Sequence, residues 1–116
     1  MSDVLHKNLA AGTWHTMSLS EQLGNVGSEI GRAANNLRMG NLERHDGALT
    51  RAFELMDLTL SDKRWQGLRL REIARLREVC ADTFYGKGGE YGSTPESLEK
   101  YLYYFAVAAR SGTRSF

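Results

Sequence analysis

The chain of 116 residues is 41% hydrophobic and 25% charged, which is ordinary for a globular domain and excludes disorder along its whole length. Its formal net charge of +1 makes neither nucleic acid nor an acidic membrane surface an obligatory partner. Because Cys80 is the one cysteine, no internal disulfide can form. Without a signal peptide or an apolar segment of about 20 residues, the chain is expected to be cytoplasmic and not membrane-spanning.

The first predicted element is an N-terminal arm over residues 1–17, which lacks a helical period. Trp14 is expected to anchor this arm to the rest of the domain. The first helix then begins at Ser18, because Ser18 and Glu21 have the spacing of a capping box, in which each side chain accepts from the other's backbone amide. This helix is predicted to end near Met39.

Small residues form a stripe along the first helix, beside its apolar face. Each glycine in a helix interior costs about 1 kcal/mol relative to alanine. We therefore expect another backbone to lie close to Gly24, Gly27 and Gly31, where side chains would not fit. The simplest neighbour for a domain of this size is a second copy of the chain, so a homo-oligomer is predicted and a dimer is favoured.

Arg38 and His45 lie on either side of the turn after this helix, separated by six residues. The pair resembles the Arg-x(4–6)-His motif of the HEPN family of small helical RNases. The resemblance implies metal-independent RNA cleavage at a dimer interface, with His45 moving a proton and Arg38 holding the phosphate charge. This activity is the first alternative to a function without catalysis.

The second predicted helix spans residues 42–60. His45 lies near its start, and the other two histidines, His6 and His15, lie in the arm. None of the three has a glutamate three residues upstream, which ferritin-like di-iron sites require. Cysteine and histidine are also too sparse for a zinc site. We therefore predict no metal and no cofactor.

The third predicted helix spans residues 65–84 and is rich in arginine. Arg69 falls on its inward face, where Asp57 or Glu29 is the expected partner of its charge. Glu78 follows Arg75 at a spacing that favours an ion pair. Basic residues in and before this helix could follow a phosphate backbone, so nucleic-acid binding is the second alternative. These residues are Lys63, Arg64, Arg71 and Arg75.

The fourth predicted helix begins at Pro95, after Thr94 as N-cap, and ends near Arg110. Residues 101–109 contain no charged side chain. A helix that is apolar on all sides is buried on more than one of them. Tyr103 and Val107 point away from the predicted core face, so we assign them to an interface with a second copy.

No segment has the alternating pattern of a half-buried strand. We predict an all-α fold, an up-and-down antiparallel four-helix bundle over residues 18–116 that follows the N-terminal arm. Residues 19–30 and 75–86 are similar to segments of small uncharacterised bacterial helical proteins, which supports the fold and implies no activity. The predicted function is a self-associating interaction or regulatory module without catalytic activity. Its predicted contact residues are Gly24, Gly27, Gly31, Tyr103 and Val107.

Overall fold

The computed structural model describes residues 12–86 and 89–111, and this part of the chain contains four α-helices and no strand. A short 3-10 turn, Trp14–Thr16, precedes them. The helices are α1 (Leu19–Arg38), α2 (Leu42–Leu60), α3 (Leu68–Tyr85) and α4 (Pro95–Ser111). The predicted all-α four-helix fold is thereby confirmed. Residues 1–11 of the predicted arm and residues 112–116 of the predicted domain lie outside the described residues.

Capping residues set the start of α1 and of α2, and the cap of α1 is the predicted capping box. Ser18 Oγ accepts a hydrogen bond from the Glu21 amide at 3.1 Å, and the Ser18 amide donates to Glu21 Oε1 at 2.9 Å. Before α2, Asn41 Oδ1 accepts from the Arg44 amide at 3.1 Å. These bonds satisfy amides that have no partner within the helix, so each helix starts where its cap lies.

Helix α3 begins at Leu68, so the predicted start at Trp65 is wrong. Gly67 precedes the helix with φ +66° and ψ −133°, a conformation that glycine adopts without strain. Trp65 therefore lies in the connection from α2 and turns inward, where it is buried. A helical wheel cannot show this, because the interruption depends on the backbone angles of one residue.

Helix α1 is the central element of the bundle. It packs along its length against α2 on one side and α4 on the other, whereas α3 meets α2 and α4 over short stretches. The apolar stripe of α1 is buried between its two neighbours, with Val26, Ile30 and Ala33 fully enclosed. Because α3 contacts α4 so little, the bundle is more open on that side.

The small residues of α1 face α4. A Cβ atom built on Gly27 would lie 2.9 Å from Leu102 Cβ, and one built on Gly24 would lie 3.1 Å from Ala106 Cα. The close backbone that the glycines predict is therefore present. It belongs to the same chain, however, so α4 explains the close packing of Gly24 and Gly27 without a second copy. Both are buried by α4, and the glycines no longer require an oligomer.

A buried polar network fastens the turn before α1 to the bundle. The Gln22 side chain donates to the Trp14 carbonyl at 2.9 Å and to Asp62 Oδ2 at 3.0 Å. Its own oxygen accepts from Trp65 Nε1 at 2.9 Å. Trp14 Nε1 donates to Thr59 Oγ1 at 3.2 Å, so both indoles are satisfied without water. The predicted anchoring role of Trp14 is confirmed.

Asp62 makes this network sensitive to pH. Arg64 donates to the two carboxylate oxygens of Asp62 at 3.0 and 2.7 Å. These bonds hold the Asp62 pKa well below its ordinary value of 3.8, although burial opposes the shift. Hydrogen bonds from Gln22 and His15 lower the pKa by smaller amounts. Since the folded-state pKa is lower than the unfolded one, the carboxylate stabilises the fold above the unfolded pKa. That stabilisation is lost as pH falls toward the folded pKa.

We expect Asp62→Asn to lower the free energy of unfolding at pH 7. The difference from wild type should shrink below about pH 5, because the wild-type carboxylate begins to protonate in the unfolded chain there. Urea unfolding at a series of pH values measures this. Asp46→Asn, at an exposed carboxylate of α2, is the matched control and should follow the wild-type curve. A constant difference between Asp62→Asn and wild type from pH 7 to pH 3 would contradict the role assigned to this carboxylate.

Candidate interaction surface

A groove of about 460 Å³ lies on the surface between α1 and α4. Gly24, Gly27 and Gly31 line it from α1, and Leu102 and Ala106 line it from α4. The glycines leave the α1 side without side chains, which produces a recess where the two helices meet. We call this recess the α1–α4 groove.

Charged side chains of both signs also line the α1–α4 groove. Arg32 Nη1 lies 3.1 Å from Glu29 Oε2 within α1, and the Arg110 guanidinium lies 5.8 Å from the centre of the Tyr103 ring. Among residues 12–86 and 89–111, Glu99 has no basic side chain within 4.0 Å. The groove therefore presents a carboxylate and an arginine that are available to groups from outside.

Exposed aromatic side chains border the groove on α4. Tyr103 is 58% exposed, Tyr104 65% and Val107 40%. The two tyrosines precede Val107 by four and three residues, so the three side chains share one outward face of the helix. Tyr103 also lines the α1–α4 groove, so this apolar surface is continuous with the recess. We call Tyr103, Tyr104 and Val107 the α4 patch.

The structure places the predicted contact residues on one face of the molecule. Gly24, Gly27, Gly31 and Tyr103 all line the α1–α4 groove, and Val107 lies one turn beyond Tyr103. The sequence interpretation missed Tyr104, the most exposed member of the α4 patch. The sequence feature that could have identified Tyr104 is the uncharged run 101–109, which contains more large side chains than one face of the helix can bury in the core.

Arg38 and His45 have separate surroundings. Arg38 is exposed, and its Nη1 atom lies 3.0 Å from Glu96 Oε2. His45 is buried, and its Nδ1 atom donates to the Ala33 carbonyl at 2.8 Å. Within the described part of the chain, no hydrogen bond joins Arg38 and His45. His45 thus connects α2 to α1, and the geometry gives the RNase alternative no support.

The predicted basic edge is divided among different contacts. Lys63 and Arg71 are exposed, whereas Arg64 is held by the Asp62 carboxylate. The Arg75 guanidinium lies 5.6 Å from the centre of the Tyr91 ring. The four cations therefore have different surroundings. Nucleic-acid binding stays a prediction, which these contacts do not favour.

The carboxylates expected near Arg69 have other partners. Asp57 accepts from Arg77 Nε at 2.6 Å, and Glu29 lies 3.3 Å from Arg51 Nε. The guanidinium of Arg69 lies 5.8 Å from the centre of the Trp65 ring. The prediction that Arg69 faces inward is consistent with the structure, since Arg69 is half-buried, and the Trp65 ring is one of the groups beside its charge.

Over residues 12–86 and 89–111, no group of three or more histidine, cysteine, aspartate or glutamate side chains is arranged to hold a metal ion. None of the described helices combines the length and the apolar character that a membrane span requires. Comparison with protein-family models, curated proteins and solved structures gives no match to this chain. The α1–α4 groove and the α4 patch are therefore the basis for a functional assignment.

Proposed function

We propose that the protein is a small self-associating helical module that acts through contact between two copies and not through catalysis. The observation that supports this proposal is the exposed α4 patch beside the α1–α4 groove. Aromatic side chains are enriched at protein interfaces because they bury a large apolar area at a small cost in side-chain entropy. The patch is thus suited to a contact that removes it from water.

A two-fold dimer requires a surface that is complementary to itself. The α4 patch projects from the surface, and the α1–α4 groove is a recess next to it. When two copies meet about a two-fold axis at this face, the patch of each copy meets the groove of the other. Glu99 of one copy and Arg110 of the other then carry opposite charges across the contact, which fixes the orientation of the pair.

Sedimentation equilibrium over a range of protein concentrations tests this proposal. We expect the weight-average mass to rise from the 13.0 kDa of one chain toward twice that value. The double variant Tyr103→Ala/Val107→Ala should remain at the lower mass, because it truncates two of the three side chains of the patch.

The matched control is Leu68→Ala, which truncates a side chain that is 75% exposed on α3, a different helix from the one that carries the patch. It should associate like the wild type. A mass of 13.0 kDa at every concentration would overturn the proposal, and so would a double variant that associates as tightly as the wild type.

A further inference from the structure

A second groove lies between α3 and α4, where these helices contact each other only over a short stretch. Its volume is about 350 Å³, within the range of about 300–1,000 Å³ found for small-molecule sites. Its floor is apolar, since Leu76 and Leu98 are buried and Val79 is half-buried. This α3–α4 groove shares no lining residue with the α1–α4 groove.

The connection before α4 closes one end of the α3–α4 groove. Ser93 lines the groove from this connection. The Asp82 carboxylate accepts from the amides of Glu90 and Tyr91, at 3.1 and 3.0 Å. The Tyr91 hydroxyl donates to Glu78 Oε2 at 3.0 Å. These bonds hold the connection against α3, so the groove has three walls, formed by α3, α4 and the connection.

Arg75 lies on the wall of the α3–α4 groove with its charge available. Glu78 was expected to pair with it, but Glu78 accepts from the Tyr91 hydroxyl instead. In the part of the chain that the structure describes, no carboxylate lies within 4.0 Å of the Arg75 guanidinium, which faces the Tyr91 ring. A cation without a carboxylate partner thus lies beside an apolar floor.

Glu72 is the other charged residue of the α3–α4 groove. It lies near Tyr101 of α4, whose pKa is raised first by burial and then by the charge of Glu72. Arg75 instead lies against Tyr91, on the wall formed by the connection. Both charged residues belong to α3, and the Glu78 carboxylate also lies at Tyr91, but Arg75 is the one basic side chain among the described residues that line the groove.

We propose that the α3–α4 groove binds a small amphipathic carboxylate, with its apolar body against Leu76 and Leu98 and its carboxylate on Arg75. A guanidinium pairs with a carboxylate through two parallel hydrogen bonds, and both groups carry charge, which strengthens each bond. A neutral molecule of the same shape gains the apolar contact alone. A cationic one also meets the like charge of Arg75.

Octanoate, 1-octanol and octylamine are matched probes, because they share a chain and differ in the head group. We expect octanoate, titrated into the ¹⁵N-labelled full chain, to produce saturable chemical-shift changes at the residues that line the α3–α4 groove. Arg75→Gln should weaken octanoate binding by roughly tenfold, through loss of the charge-assisted hydrogen bonds, and leave 1-octanol binding unchanged. Arg71→Gln removes an exposed arginine of the same helix that does not line the groove, and should bind octanoate like the wild type.

Two results would overturn the assigned ligand class: equal affinity for octylamine and octanoate, or unchanged octanoate affinity in Arg75→Gln. Shift changes that do not saturate, or that lie away from the groove, would overturn the site itself. The head-group comparison uses the wild-type chain, and both variants replace exposed residues of α3, so loss of the fold does not enter their interpretation.

Discussion

Replacing Trp14 with alanine is expected to lower the free energy of unfolding by about 3–5 kcal/mol, the cost of removing a fully buried aromatic side chain. Trp14 precedes the four helices, yet its side chain is completely enclosed by the core. The substitution leaves a cavity and deprives Thr59 of the indole hydrogen bond. Denaturant unfolding followed by circular dichroism measures the loss.

His15→Ala is the neighbouring control, because the His15 side chain is 38% exposed. Its contact with the Asp62 carboxylate at 3.3 Å is partly open to water, so we expect a loss below about 1 kcal/mol. If Trp14→Ala costs no more than His15→Ala, the turn is not part of the cooperative unit, contrary to the structure.

The second large effect is expected at Gly27. A valine there places its Cβ within 2.9 Å of Leu102 Cβ, an atom that cannot move without moving α4. Overpacking of this kind costs about 1–3 kcal/mol. The better helix propensity of valine returns only a few tenths of a kcal/mol. We therefore expect Gly27→Val to lower the free energy of unfolding by about 2 kcal/mol.

Gly47→Val provides the same substitution in a helix without the close backbone. The nearest atom to a Cβ at Gly47 is Arg51 Nη1, at 3.6 Å, the end of a flexible side chain. This variant should remain within about 0.5 kcal/mol of the wild type. Equal losses at the two positions would mean that helix propensity, and not contact with α4, sets the cost.

Features encoded by short segments could be predicted from the sequence. The start of α1 follows from Ser18 and Glu21, because a cap acts on amides within the next turn. The close backbone beside the α1 glycines could also be inferred, since their helical cost requires an offset. The helix that supplies this backbone could not be inferred, because a helical pattern shows that a face is covered but not which element covers it.

Contacts that join distant segments escaped the sequence analysis. Gln22 lies among the apolar residues of α1 and gave no signal of its own, yet it connects Trp14, Asp62 and Trp65. Likewise, the spacing of Arg75 and Glu78 favours an ion pair, but the Glu78 carboxylate accepts a hydrogen bond from the Tyr91 hydroxyl instead. In each case the deciding partner comes from a connection whose path no periodicity specifies.

The α4 patch was predicted in part, and its role as a contact between copies is the central claim. Oxidative cross-linking of a mixture of Val107→Cys and Ser28→Cys proteins tests it directly, because Val107 belongs to the patch and Ser28 lines the groove. A mixture of Leu68→Cys and Ser28→Cys proteins is the control, since Leu68 is exposed on α3. The native Cys80 does not compete, because it is buried and burial raises its pKa to about 12. We predict that the first mixture forms a disulfide-linked dimer under mild oxidation and that the control mixture does not. Equal cross-linking of the two mixtures, or no cross-linked dimer in the first, would contradict the claim.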